Sequence, residues 1–249
     1  MRRITWLGHA TVLLELRGAR LLTDPLLRGR VAHLRRHAPP VEASLVAGPL
    51  DAVLISHAHH DHLDRPSLRG LAGSQTEALV PRGAGALLRG LPFGAVRELR
   101  AGERARVGGV EVEAVPAWHR TRRFPSRVEH DALGYLVERV WFAGDTDLHP
   151  EMEALRGRVD VALLPIWGWG PRLGPGHLDP ASAARAAALV RPQVAVPIHW
   201  GTFLPLGTHR RHGALLHEPA EAFAAQVARE APGVRVATLA VGEALPLDA

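Results

Sequence analysis

Cysteine is absent from the 249 residues, which excludes thiolate zinc sites, cysteine-ligated iron–sulfur clusters, cysteine nucleophiles and disulfides. Lysine is absent as well, all 30 basic residues being arginine, so a Schiff-base lysine, pyridoxal-phosphate attachment and the phosphate-loop lysine are impossible. Asparagine is missing and isoleucine scarce, whereas Ala, Arg, Gly and Pro abound, a bias we read as coding composition. No apolar run reaches the roughly 18 residues of a membrane-spanning helix. The first residues, Met1-Arg2-Arg3-Ile4, pass at once into an alternating strand pattern without an apolar leader, so a soluble cytoplasmic protein is expected. Metal chemistry with imidazole and carboxylate ligands survives all of these exclusions.

What is present is an ordinary globular composition, 47% hydrophobic and 22% charged, at a length that suits one domain over 1–249 with a substantial core. The net charge of +5 is uneven. Three windows, Arg28 to His37, His119 to Arg127 and His209 to His212, hold ten Arg and no acid, and the rest of the chain carries −5. A diffuse basic coat is therefore lacking, and no stable nucleic-acid partner is expected. Homo-oligomerisation stays open.

Alternation predicts strands over Ile4 to Leu16 and Arg20 to Thr23, joined as a hairpin around Arg17-Gly18-Ala19. A short apolar run, Asp51 to Ser56, precedes a His-rich loop and a helix from about Pro66. Further strands are expected around Leu79, at Val96 to Leu99, Arg104 to Val107, Val110 to Val115, Leu133 to Glu138, Val140 to Ala143, Val159 to Leu164 and Val194 to Ile198. Helices are expected over Gly83 to Arg89, Pro150 to Arg156, Pro180 to Val190 and Glu218 to Glu230. Two mixed sheets in series, flanked by helices, suit an α/β four-layer αββα sandwich. The sole tyrosine, Tyr135, falls in a strand and is assigned to the core.

The strongest signal is His57-Ala58-His59-His60-Asp61-His62, directly after a buried strand. Imidazole and carboxylate suit divalent ions, and a loop leaving a rigid strand can make such side chains converge. The zincin pattern places two histidines at i and i+4 on a helix; here His57 and His59 lie two apart and Asp61 and His62 are adjacent, which suits two neighbouring metals. Three more candidates, His119, Asp145 and His199, stand at or just after strand ends.

The His-x-His-x-Asp-His motif, His119, Gly144-Asp145-Thr146 and Pro197-Ile198-His199-Trp200-Gly201-Thr202-Phe203 resemble the metallo-β-lactamase superfamily of αββα metallohydrolases. Within it, Trp6-Leu7-Gly8-His9-Ala10-Thr11, Leu22-Thr23-Asp24-Pro25, Val53-Leu54-Ile55-Ser56-His57 and His177-Leu178-Asp179-Pro180 resemble the branch containing N-acyl phosphatidylethanolamine-hydrolysing phospholipase D and ascorbate-6-phosphate lactonase. The resemblance implies that His57, His59 and His119 hold one metal, that Asp61, His62 and His199 hold the other, and that Asp145 bridges them. It implies two divalent ions, zinc first with manganese or iron as alternatives, and a bridging hydroxide that cleaves a small anionic ester, phosphodiester or lactone. Asp24 matches a carboxylate that orients a ligand imidazole. Asp145, Asp61 and His177 are the expected catalytic residues, His177 contacting substrate or protonating the leaving group rather than binding metal.

Around this centre, Trp167 and Trp169 in a Gly/Pro loop suggest an aromatic pocket wall, and Arg122 and Arg123, joined by Arg35 and Arg36, suggest an anion site. Two other activities compete. A non-haem iron oxidoreductase on the same fold is disfavoured because Asp61, His62 and His199 supply the second-metal set that mononuclear relatives generally lack. A nucleic-acid-processing phosphodiesterase is disfavoured because the chain has no room for an RNA-binding arm.

Overall fold

The structure is a computed structural model that describes residues 2–123 and 129–247; Arg127 of the second basic window lies outside them. Two seven-stranded sheets dominate. The first is ordered Ala244–Pro246, Arg3–Trp6, Val12–Leu16, Ala19–Thr23, Ala52–Leu54, Glu77–Pro81, Ala95–Leu99. The second is ordered Arg235–Val236, Val194–Ile198, Val161–Pro165, Val140–Phe142, Leu133–Val137, Val110–Pro116, Arg104–Val107. Each combines a run of antiparallel pairings with a run of parallel ones, so both are mixed.

Side chains alternate across a strand, and the first sheet uses both faces. Leu14, Leu16, Leu21, Leu54 and Leu79 join the large core shared with the second sheet. Leu13, Leu22, Val53, Ala78 and Val80 face the other way, onto Leu68 of helix Arg65–Leu71 and Leu88 of a short 3-10 helix. The parallel strands Val161–Pro165 and Val194–Ile198 are buried throughout, as expected for strands covered on both faces. Helices Pro180–Val190 and Glu218–Glu230 supply part of that cover through Ala183, Ala187, Phe223 and Val227. The four-layer αββα sandwich follows. The Tyr135 ring is buried between the sheets, and its hydroxyl donates to the Ile55 carbonyl at 2.8 Å.

Three elements differ from expectation, and a fourth region, the basic window, takes a structure the sequence did not assign. Ile4 to Leu16 is not one strand: Arg3–Trp6 and Val12–Leu16 are separated by a turn in which Leu7 N–H bonds the Thr11 carbonyl and Trp6 Nε1 bonds the His9 carbonyl. The helices expected at Gly83 to Arg89 and Pro150 to Arg156 are 3-10 helices, Gly85–Leu88 and Pro150–Leu155, a geometry favoured in short pieces. The basic window Arg28 to His37 folds into strands Arg30–Val31 and Leu34–Arg36, extended by Phe203–Pro205. Its apolar side, Val31 and Leu34, packs with Leu26, Phe203 and Trp169. Among the described residues, no helix is long and apolar enough to cross a membrane.

Candidate metal centre

The two sheets present strand ends to one edge, where their loops meet. The His57 to His62 loop leaves strand Ala52–Leu54 of the first sheet; His119, Asp145 and His199 follow strands Val110–Pro116, Val140–Phe142 and Val194–Ile198 of the second. Gly144 takes φ +63°, and a Cβ there would come within 2.7 Å of Ser56 Cβ, so only glycine lets Asp145 approach the histidine loop this closely. Two groups of donor atoms result. In one, His57 Nε2 lies 2.9 Å and His119 Nε2 3.1 Å from His59 Nδ1. In the other, His62 Nε2 and His199 Nε2 are 3.0 Å apart, with Asp61 Oδ2 at 3.7 and 3.9 Å from them. Asp145 stands between: Oδ2 is 3.3 Å from His62 and 4.0 Å from His57, and Oδ1 is 3.3 Å from His199.

The protons of these rings explain why the groups suit cations. His62 Nδ1 donates to Asp24 Oδ2 at 2.7 Å, His199 Nδ1 to the Trp167 carbonyl at 2.7 Å, and His119 Nδ1 to the Gly176 carbonyl at 2.7 Å. His57 Nδ1 donates to Ser56 Oγ at 2.9 Å, and that hydroxyl in turn donates to Asp24. In the neutral rings each Nε2 is therefore a bare lone pair. Lone pairs 3.0 Å apart repel unless a metal cation or a shared proton sits among them, and Asp145 Oδ1, buried, has no hydrogen-bond partner among the described residues. The donor set fits divalent metal.

Electrostatics agree. Burial raises the Asp145 carboxyl, but His199 and His62 outweigh it and hold the group well below the usual carboxylate range. Burial acts likewise on Asp61, against His62 and His9, with the same result. At His62 burial lowers the pKa, yet Asp145, Asp61 and Asp24 reverse the sign and raise it well above the ordinary value. That position attracts positive charge. Burial dominates elsewhere, lowering His59 to about 4 and His199 to about 3, so both rings are neutral donors at pH 7. Burial also raises Asp24, against the pull of His62 and Ser56.

A cavity of about 500 Å³ opens onto the cluster. Its walls include Val31, Leu34, Trp169 and Leu173 on an apolar side, Arg122 and Arg172 as cations, and His33, His60 and His177 at the polar side. His177 donates Nδ1–H to the Gly174 carbonyl at 3.1 Å and turns Nε2 toward Asp145 Oδ2, 3.7 Å away. Of the expected anion site, only Arg122 reaches the cavity. Arg123 Nη1 is engaged by the carbonyls of Ala58 (2.6 Å) and Leu63 (3.1 Å) instead. Arg36 is buried, bonds the carbonyls of Leu7 and Pro39, and has its pKa lowered to about 10 by that burial; Arg35 is exposed outside the cavity lining. Trp167 packs on the main core and bonds the Gly170 carbonyl, so the aromatic wall is Trp169 alone of the two. Trp169 Nε1 also donates to Asp61 Oδ2 at 3.2 Å.

Among the side chains to which the sequence reading gave no role, two polar ones stand out. His9 reaches Asp61 from the turn that splits the first predicted strand, its Nε2 3.1 Å from Asp61 Oδ2. The signal was the Gly8-His9 pair interrupting an apolar alternation, a poor place for two such residues unless the backbone turns there. Arg172 lines the cavity from the loop that also carries His177.

A family model described as the beta-lactamase superfamily domain matches residues 19–200. The chain is 37% identical over 219 residues to an uncharacterised protein of Mycobacterium tuberculosis, covering 80% of this chain but 59% of that protein, and so spans little more than half the length of that relative. It is 34% identical over 220 residues to a metal-dependent hydrolase of Methanopyrus kandleri, covering 82% and 86% of the two chains. An N-acyl-phosphatidylethanolamine-hydrolyzing phospholipase D of Caenorhabditis elegans is 31% identical over 231 residues, 82% of this chain and 65% of that one. Among solved structures, the metallo hydrolase Igni18 of Ignicoccus hospitalis superposes with a TM-score of 0.71 at 23% identity, over 98% of this chain and 97% of the other. The chain belongs to the metallo-β-lactamase superfamily of metal-dependent hydrolases.

Proposed function

We propose that the protein is a hydrolase with two divalent ions, one held by His57, His59 and His119, the other by Asp61, His62 and His199, with Asp145 shared, and that it cleaves a small anionic ester, phosphodiester or lactone. The observation that carries this reading is the convergence of imidazole lone pairs around Asp145 at the floor of a cavity with an arginine on its wall. Divalent ions held by these residues would supply Lewis acidity, polarising the scissile group and lowering the pKa of water toward neutrality. The protein supplies position. Arg122 draws the anionic group of the substrate, and the apolar face of Val31, Leu34 and Trp169 receives its non-polar part, excluding water there. His177 Nε2 faces the reaction space and, when protonated, delivers a proton to the departing oxygen. Asp24 gathers the Ser56 and His62 donors and so fixes the rotation of His62 and, through Ser56, of His57.

The test is metal-dependent hydrolysis of nitrophenyl esters and phosphodiesters. Chelation should abolish activity and Mn²⁺ or Zn²⁺ restore it. Asp145→Ala should cost more than the roughly 10–100-fold typical of an outer partner of a metal ligand. Activity that survives both full chelation and Asp145→Ala would place the chemistry elsewhere.

A further inference from the structure

His9 is 1% exposed and takes φ +54°, in the left-handed region that residues other than glycine usually avoid. Its backbone is held on both sides: the N–H donates to Thr202 Oγ1 at 2.7 Å, and the carbonyl accepts from Trp6 Nε1 and from the His199 N–H, each at 2.9 Å. The ring lies 4.0 Å from that of His199 and meets Phe203 edge-on at 5.5 Å. Strained backbone persists where its surroundings over-determine it, and here the outcome is one placement of an imidazole against Asp61.

The chemistry of that contact is constrained. Asp61 Oδ2 can only accept, so a ring nitrogen 3.1 Å away must carry a proton to be attracted to it. His9 thus differs from His62 and His199, whose protons lie on Nδ1 and point away from the centre. Trp169 Nε1–H reaches the same Oδ2 from the cavity side at 3.2 Å. The terminal torsion of an aspartate is soft, and two donors from different elements would hold it.

We propose that His9 is a positioning residue: by donating Nε2–H to Asp61 Oδ2, together with Trp169, it fixes the carboxylate in the orientation that serves the metal position formed by Asp61, His62 and His199. This rests on the two-metal reading above. The competing role is direct ligation, since donor atoms of His9, Asp61, His62 and His199 all lie within 4.8 Å of one another.

Titration of metal-free protein with Zn²⁺ against a chromophoric chelator separates the two. His9→Phe keeps a ring but no donor, and His9→Gln keeps an N–H; both carry the same backbone penalty at positive φ. Uptake of two equivalents by the wild type is the requirement of the two-metal reading, and its failure would count against that reading alone. The expected result is an unchanged first affinity in both variants and a second affinity weakened about 10–100-fold in His9→Phe but near wild type in His9→Gln. Loss of the second ion in His9→Gln as well would make His9 a ligand and overturn the proposal, as would wild-type second affinity in His9→Phe. Nitrogen NMR of the metal-loaded wild type decides the matter should His9→Phe not fold. A protonated His9 Nε2 is expected, and a metal-shifted one would sink the idea.

Discussion

At His177 one hydrogen bond decides which ring atom faces the cavity. Its Nδ1–H is fixed on the Gly174 carbonyl, which leaves Nε2 on the side of Asp145 Oδ2, 3.7 Å away. Donor atoms of His119, Asp145 and His177 also fall within 4.8 Å of one another, which is close enough for a ligand. The roles part on substitution. As a proton donor, His177→Gln should leave metal content intact and lower kcat by about 10² to 10⁴ for poor leaving groups, the usual range for general acid catalysis, with little effect on nitrophenolate. Metal analysis and a leaving-group series check this; a variant that loses metal would identify a ligand, and an unchanged kcat across the series would remove the acid role.

The adjacent residues Arg122 and Arg123 separate at the level of the element that carries them. Arg122 closes the short strand Thr121–Arg122 and lines the cavity, whereas Arg123 ties the Ala58 and Leu63 carbonyls at the two ends of the histidine loop. Arg122→Gln should therefore raise KM for anionic substrates and spare neutral ones, as expected for lost ground-state binding. Arg123→Gln should leave that discrimination alone and instead cost about 1–3 kcal/mol in denaturant unfolding, because buried carbonyls lose a charged donor. Equal loss of anion preference in both variants would contradict the division. Sequence placed both arginines together because charge alone does not say which partners a side chain meets across 65 residues of chain, the separation of Arg123 from Ala58. The same limit applies to Arg28 to His37, where alternation buries Val31, Leu34 and Arg36 against Phe203 and Leu7 far along the sequence. What was legible had local causes. Helix Pro180–Val190 begins at an Asp179–Ser182 capping box with Pro at its first turn, and its bounds match the sequence reading. The histidine cluster was legible because four imidazoles and a carboxylate within six residues have little structural use. His9 stood in a quoted motif but received no role, because its partner Asp61 lies 52 residues along the chain.

For the whole molecule, the consequence of the proposed site lies in where its candidate ligands originate. His57, His59, Asp61 and His62 belong to a loop of the first sheet, while His119, Asp145 and His199 follow strands of the second. Ions bound among them would bridge the two halves of the sandwich, at the edge of a shared core that already contains Leu14, Leu54, Tyr135 and Phe142. Chain separations such as the 137 residues between His62 and His199 mean that an unfolded chain offers no comparable site, so binding energy becomes folding energy. At a free metal concentration of about 1,000 times Kd this linkage contributes about 4.1 kcal/mol per site. For a chain of this size, about 2–4 °C of Tm accompanies each kcal/mol, which predicts that removing one ion lowers Tm by roughly 8–16 °C. Calorimetry of metal-loaded and chelated protein, with metal content measured on both, makes the comparison. Asp145→Ala should flatten the difference, because it removes the carboxylate common to both donor groups, whereas a substitution on the cavity wall such as Arg122→Gln should preserve it. Equal Tm for loaded and stripped wild type would show that the two sheets are joined by their core alone.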